Sequence, residues 1–174
     1  MRRKLLLLLC LAPWIAPLPG ATLERLSIDD LIAKSSDIVR AKVLGSYGEF
    51  RGDTIYTHWK LQLVDRWKGV GQAAEVLVPG GTAGGQHQAV SGAPQLAAGG
   101  EYLLFLWKSK SGLTFLTGWQ QGIFRLNRNP SGELTARREA AGETMLDVSG
   151  AAVDDRGIEM SYQEMTRKIQ RGSR

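Results

Sequence analysis

Between Ile55 and Leu63 the chain alternates with a period of two, and no other stretch limits the fold as strongly. Ile55, Thr57, Trp59, Leu61 and Leu63 face one way, while Tyr56, His58, Lys60, Gln62 and Val64 face the other. That alternation specifies a strand with one buried face. Asp65 interrupts the pattern and Trp67 resumes the first phase, so the strand is expected to be bent or bulged rather than flat. In this phasing Trp59 belongs to the core, and His58, beside Lys60, to the outer surface.

The flanking segments read the same way. Val39, Ala41 and Val43 alternate with Arg40 and Lys42 in a strand expected to end near Gly45, with Gly48 and Gly52 marking a hairpin loop. A shorter strand over Glu75–Val78 stops at Pro79-Gly80-Gly81. Residues Glu101 to Trp107 are apolar on both faces, which predicts a central strand covered on both sides. Strands at Leu113–Thr117, Gly122–Leu126 and Glu133–Arg137 follow, the last two joined by the turn signal Asn129-Pro130-Ser131-Gly132. Residues 80–100 form a glycine-rich loop in which Gln86–Val90 pairs weakly at an edge. Long loops of this kind are often functional. A short helix starts at Ser27, which caps it, with Asp29 and Asp30 at its positive end. A second begins at Ser161 with Glu164 three positions on, a capping-box spacing. The fold class expected is mainly β: a small antiparallel OB-like β-barrel (the oligosaccharide/oligonucleotide-binding type) with a short N-terminal helix and a C-terminal helix. A sandwich is the second choice.

Residues 1–21 carry Arg2, Arg3 and Lys4, then an apolar run broken by Pro13, Pro17 and Pro19, then Gly20 and Ala21. This is the layout of a secretory signal peptide cleaved after Gly20 or Ala21, and it is too short to span a bilayer. The protein is therefore expected to be exported, to the periplasm or beyond, with no transmembrane segment once the signal is removed. Residues 22–138 are expected to form the barrel domain with its N-terminal helix. Residues 139–174 are expected to form a flexible segment and the C-terminal helix. The whole chain holds 22 basic and 17 acidic residues. Three basic residues leave with the signal, so the remainder carries a net charge of +2. A near-neutral domain has no electrostatic drive toward nucleic acid, which is excluded as a partner. The single cysteine, Cys10, lies inside the apolar run, so the exported part has no disulfide and depends on its core. Leu9 is not the small residue that a lipoprotein signal needs before its cysteine.

Three blocks resemble a known family. Asp37-Ile38-Val39-Arg40-Ala41-Lys42-Val43-Leu44-Gly45-Ser46 is similar to the first barrel strand of netrin-like modules and the tissue inhibitors of metalloproteinases. Val64-Asp65-Arg66-Trp67-Lys68-Gly69 is similar to their strand ending in aromatic-Lys-Gly, and Gly99-Gly100-Glu101-Tyr102-Leu103-Leu104 to their Gly-x-Glu-Tyr-Leu strand. The blocks fall in the family's order. The chain also resembles an uncharacterised group of exported bacterial proteins with glycine-rich blocks like that at 79–85. The resemblance implies the barrel fold and a partner such as an envelope or secreted peptidase. It does not carry over the inhibitors' mechanism, in which an N-terminal Cys-x-Cys chelates the protease's zinc, because no cysteine stands near the expected mature start.

Catalytic chemistry is not legible. There is no nucleophile elbow, and Ser91 and Ser131 sit in turns. His58 and His87 lie in different elements without the paired spacing of a metal site, so no metal and no cofactor is expected. Gly80-Gly81-Thr82-Ala83-Gly84-Gly85 lacks the Lys-Ser/Thr of a phosphate loop. Arg51-Gly52-Asp53 reads as turn chemistry. Trp119, followed by Gln120 and Gln121, is the best exposed aromatic. The expected binding residues are Gly84, Gly85, His87, Trp119, Gln120 and Gln121. The expected role is an exported, non-catalytic binding module that meets a protein partner. Carbohydrate or polymer binding through Trp119 and an enzyme of unrecognised kind are the alternatives.

Overall fold

The computed structural model describes residues 22–71 and 74–173. The signal peptide expected over residues 1–21 lies outside them. The described chain is mainly β, with two helices. In order, β1 (Thr22–Glu24), α1 (Ile28–Lys34), β2 (Asp37–Arg51), β3 (Thr54–Lys68) and β4 (Glu75–Pro79) come first. Next are β5 (Gly81–Ala83), β6 (Gln86–Gln88), β7 (Glu101–Lys108) and β8 (Thr114–Leu116), then a 3-10 turn at Trp119–Gly122. The remaining elements are β9 (Ile123–Arg128), β10 (Leu134–Arg138), β11 (Thr144–Leu146), β12 (Ala152–Val153), β13 (Ile158–Ser161) and α2 (Tyr162–Gly172). Among the described residues no helix is long and apolar enough to cross a membrane.

The main sheet closes a ring. β7, β2, β3, β4 and β8 pair in that order, and β8 returns to β7. Every step is antiparallel except β4–β8, which is parallel. One edge of β7 pairs with β2. Its other edge forks: Tyr102–Leu104 pair with β9, and Leu106–Lys108 pair with β8. From β9 the sheet continues to β10 and β13. The 3-10 turn links β8 to β9 at this fork.

The fork explains the double apolar face of β7. Tyr102, Leu104 and Leu106 join Val39, Ala41, Val43, Trp59 and Leu61 in one cluster. Leu103 and Phe105 join Phe124, Leu31, Ile32, Met165 and Ile169 of the flanking strand and helices in a second. Both helices begin on side-chain caps, as the sequence implied. Ser27 and Asp30 form a reciprocal capping box on α1, and the Ser161 hydroxyl accepts from the Glu164 amide on α2.

Bulges account for two departures from the sequence pattern. Pairing of β2 with β3 shifts between Ile38 and Val39, between Arg40 and Ala41, and between Val43 and Gly45. The skipped residues are Trp67 and Val64 on β3 and Leu44 on β2. A single extra residue reverses which face a strand presents. Trp67 therefore packs toward the helices, edge-on to Tyr162 at 5.8 Å, rather than with Trp59. By the same device β2 continues past Gly45 to Arg51, so the hairpin turn holds Gly52 but not Gly48. Gly48 lies where the β5–β6 hairpin crosses β2, and a Cβ there would come within 2.0 Å of the Thr82 carbonyl oxygen.

The stretch after Arg138, expected to be flexible, carries β11, β12 and β13. β1 and β11 pair in parallel, with Met145 fully buried. The Arg138 guanidinium donates twice to the Asp155 carboxylate, at 2.7 Å each, and once to the Arg156 carbonyl at 3.0 Å. Asp155 also accepts from the Ala141 amide at 2.7 Å. Burial pushes the Asp155 carboxyl up. The Arg138 hydrogen bonds, the Ala141 amide and the charges of Arg138 and Arg25 outweigh it and hold the carboxyl below its ordinary value of 3.8. Asp30 is held low chiefly by the Ser27 hydroxyl, and Asp147 chiefly by the Ser149 hydroxyl. A carboxyl held low in the folded state contributes its full stability above the unfolded value and loses it as pH falls through the folded value. The melting temperature is therefore expected to be flat between about pH 7 and pH 5 and to drop below about pH 4. Circular dichroism melts across that range measure this, and a melting temperature that rises on acidification would contradict the assignment.

Candidate functional site

The fork where β8 and β9 leave β7 builds an aromatic groove. The 3-10 turn there is held from both sides. Gln121 is 1% exposed, and its side-chain oxygen accepts from the Leu26 amide at 2.7 Å. Its Nε2 donates to the Glu24 carbonyl at 2.9 Å. Gly122 packs so closely on the Thr117 carbonyl that a Cβ would lie 2.3 Å from the oxygen. Between these anchors, Gly118 and Trp119 both take left-handed backbone, at φ 65° and 58°. Trp119 is the sole non-glycine residue with positive φ among the described residues. That conformation costs a bulky residue on the order of 1–2 kcal/mol. It persists where surrounding contacts over-determine it, and such strain gathers at functional positions.

Trp119 forms one wall of a groove of about 320 Å³, with Tyr56, Pro79, Pro94, Trp107 and Phe115 around it. Cross-strand register places these rings. Trp107 on β7 pairs with Phe115 on β8, their rings stacked with centroids 5.1 Å apart. Tyr56 on β3 meets Phe115 edge-on at 6.2 Å. Trp107 remains 41% exposed, so a large aromatic face is open to solvent. None of the side chains lining the groove is charged, and none is an amide.

The sequence-expected binding residues divide among separate places. Gly84 and Gly85 form the exposed turn between β5 and β6. His87 on β6 is exposed, with its Nδ1 3.1 Å from the Thr82 hydroxyl. It lines a different cavity, of about 290 Å³, which Trp59 and Gln88 share. Trp119 lies in the groove, and Gln120 in a third cavity. Gln121 is engaged inside, tying down the N-terminal segment. The groove and the His87 cavity share Val78 and Pro79 as a common wall. The sequence alone does not bring Tyr56, Trp107 and Phe115 together. Their types were visible, but the register that stacks them across three strands was not.

His58 corrects the surface reading. It stands on the outward face of β3 but is only 2% exposed. Tyr47 of β2 stacks over its ring at 4.7 Å. Glu75 Oε2 lies 3.1 Å from Nδ1, and Glu49 Oε2 lies 3.2 Å from Nε2. The Glu49 contact is short but misaligned, so Nε2 makes no hydrogen bond. The two carboxylates sit at opposite ring nitrogens, an arrangement that orients the ring rather than chelating an ion. Among the described residues no cluster of three or more His, Cys, Asp or Glu is placed to hold a metal. No protein-family model matches the chain, and none of the curated proteins matches it.

Proposed function

We propose that the protein is an exported, non-catalytic binding module whose aromatic groove takes an extended, apolar segment of a protein partner. The carrying observation is the open groove of Tyr56, Trp107, Phe115 and Trp119, with Trp119 held in left-handed backbone. Grooves walled by aromatic rings and proline favour extended chains rich in proline and apolar residues, because such chains are already ordered before binding. Sugar recognition needs amides or carboxylates beside the stacking ring, and the groove's side chains include neither. The same lining holds no carboxylate, histidine or thiol, which supports the non-catalytic reading.

The ring of β7, β2, β3, β4 and β8 is read as an OB-like barrel. Its pairing order, with one parallel step between β4 and β8, supports that reading. The resemblance of the strand blocks to netrin-like modules supports it as well. A peptidase is then one partner class, engaged without the zinc chelation that family uses.

Peptide display against the purified protein tests the proposal. Selected peptides should be rich in proline and aromatic residues, and Trp107→Ala should abolish their binding. Indole fluorescence should stay unchanged with a panel of polysaccharides. Enrichment that survives Trp107→Ala, or quenching by a polysaccharide alone, overturns the reading.

A further inference from the structure

The cavity that His87 lines, of about 290 Å³, adjoins the aromatic groove across Val78 and Pro79. The chain at 93–95 alternates between the two: Pro94 lines the groove, while Ala93 and Gln95 line the cavity. An extended segment sends successive side chains to opposite sides. One laid across Pro79 with an apolar residue in the groove therefore turns a neighbouring side chain toward the cavity.

Gln88 of β6 decides the chemistry on offer there. Its Oε1 accepts from the Ile55 amide at 2.6 Å. A backbone N–H at that distance requires an oxygen, so the orientation of the side-chain amide is fixed and Nε2 is its free end. Gln88 is half-buried, yet Nε2 is not among the buried side-chain atoms without a partner, which are His58 Nε2, Trp59 Nε1, Arg138 Nε and Glu143 Oε2 among the described residues. Solvent therefore reaches this donor. Gln95, on the same lining, is exposed, and its amide enters no hydrogen bond among the described residues. His87 is exposed as well, with Nδ1 occupied by the Thr82 hydroxyl. No carboxylate, lysine or arginine lines the cavity, so a charged ligand group would shed its water without a counter-charge. Trp59, also on the lining, is only 9% exposed and offers no open ring on which a sugar could stack. The matching group is neutral and both accepts and donates.

We infer that the partner segment carries an amide side chain, asparagine or glutamine, beside the apolar residue that fills the groove. Its carbonyl accepts from Gln88 Nε2, and its NH2 group donates to the Gln95 side-chain carbonyl. This inference rests on the reading of the groove proposed above and adds to it what stands next to the anchor.

A proline- and aromatic-rich peptide selected by display, re-synthesised with Asn, Gln, Leu, Glu or Lys at each position beside its anchor, tests this by fluorescence anisotropy. On the unaltered protein one position is expected to prefer Asn or Gln over the other three by about tenfold, the cost of leaving a neutral hydrogen-bonding group unmatched. This series needs no variant to fold. Gln88→Glu keeps an oxygen for the Ile55 amide and puts an acceptor where the donor stood. In that variant the preference at the same position should pass to Lys, whereas Gln86→Glu on the same strand should leave it with the amides. Trp107→Ala should abolish binding of every peptide. Binding that needs Trp107 but does not distinguish Gln from Leu at any position leaves the groove reading standing and overturns this inference. So does a preference for Glu, which marks an anion site, or an amide preference that Gln88→Glu leaves unchanged. Binding indifferent to Trp107 overturns the groove reading itself, and this inference with it.

Discussion

Arg138→Ala is expected to remove about 3–5 kcal/mol of folding stability, the cost of stranding a buried carboxylate. Both side chains of the pair are almost fully enclosed, Arg138 at 4% and Asp155 at 2%. Removing the guanidinium leaves Asp155 with only the Ala141 amide as donor. The neighbouring pair of Arg137 and Glu139 is the natural control. Arg137 is 51% exposed and its partner Glu139 77%, so Arg137→Ala should leave stability nearly unchanged. Arg138→Met combined with Asp155→Leu should recover part of the loss: the apolar pair leaves no stranded charge, but the Ala141 amide and the Arg156 carbonyl lose their partners. Urea denaturation of the four proteins measures all of this. If Arg138→Ala costs no more than Arg137→Ala, the pair does not lock the following segment to β10, and residues 139–161 owe their order to something else.

That pair also marks where sequence reading stops. Arg138 and Asp155 are 17 positions apart, across a stretch rich in alanine and glycine with no periodicity. Nothing local announces that two charges on its flanks will meet inside. Where the information is local, it was readable. Ser27 with Asp30 marks a helix start because both groups lie within one turn. The apolar run at 101–107 marks a doubly covered strand because each face must find its own cluster. The phase of β3 was right for Trp59 and Leu61, which are buried. It failed for Trp67, because bulges at Val64 and Trp67 shift the pattern and bulges leave no fixed residue signature. For His58 the outward direction was right and the exposure was wrong. Its roof comes from Tyr47, Glu49 and Glu75 on the two neighbouring strands, and depends on a register that the skipped Leu44 sets. Trp119 reads in the sequence as an aromatic next to a turn, but nothing in its type announces left-handed backbone. The strain comes from Gln121 and Gly122 being fixed by the N-terminal segment and by Thr117.

Trp119 gives the sharpest test of the groove, because stability and binding should separate there. Trp119→Ala and Trp119→Gly both remove the ring, and both are expected to weaken a groove-selected peptide by about 2 kcal/mol or more, roughly thirtyfold. Their stabilities should differ. Alanine keeps the steric penalty of φ 58° while losing the aromatic contacts. Glycine loses the same contacts but adopts that φ without penalty. The glycine variant should therefore unfold about 1 kcal/mol later than the alanine variant, the reverse of their order in ordinary backbone. Because neither variant has the ring, the difference measures the strain stored at this one residue. Equal stability would mean that the 3-10 turn relaxes and Trp119 is not held. Peptide binding that survives both substitutions would place the partner elsewhere, whatever the strain. The expected pairing of lost binding with the inverted glycine–alanine order requires both halves at once: a turn rigid enough to force a tryptophan into left-handed backbone, and a groove that uses the ring so placed.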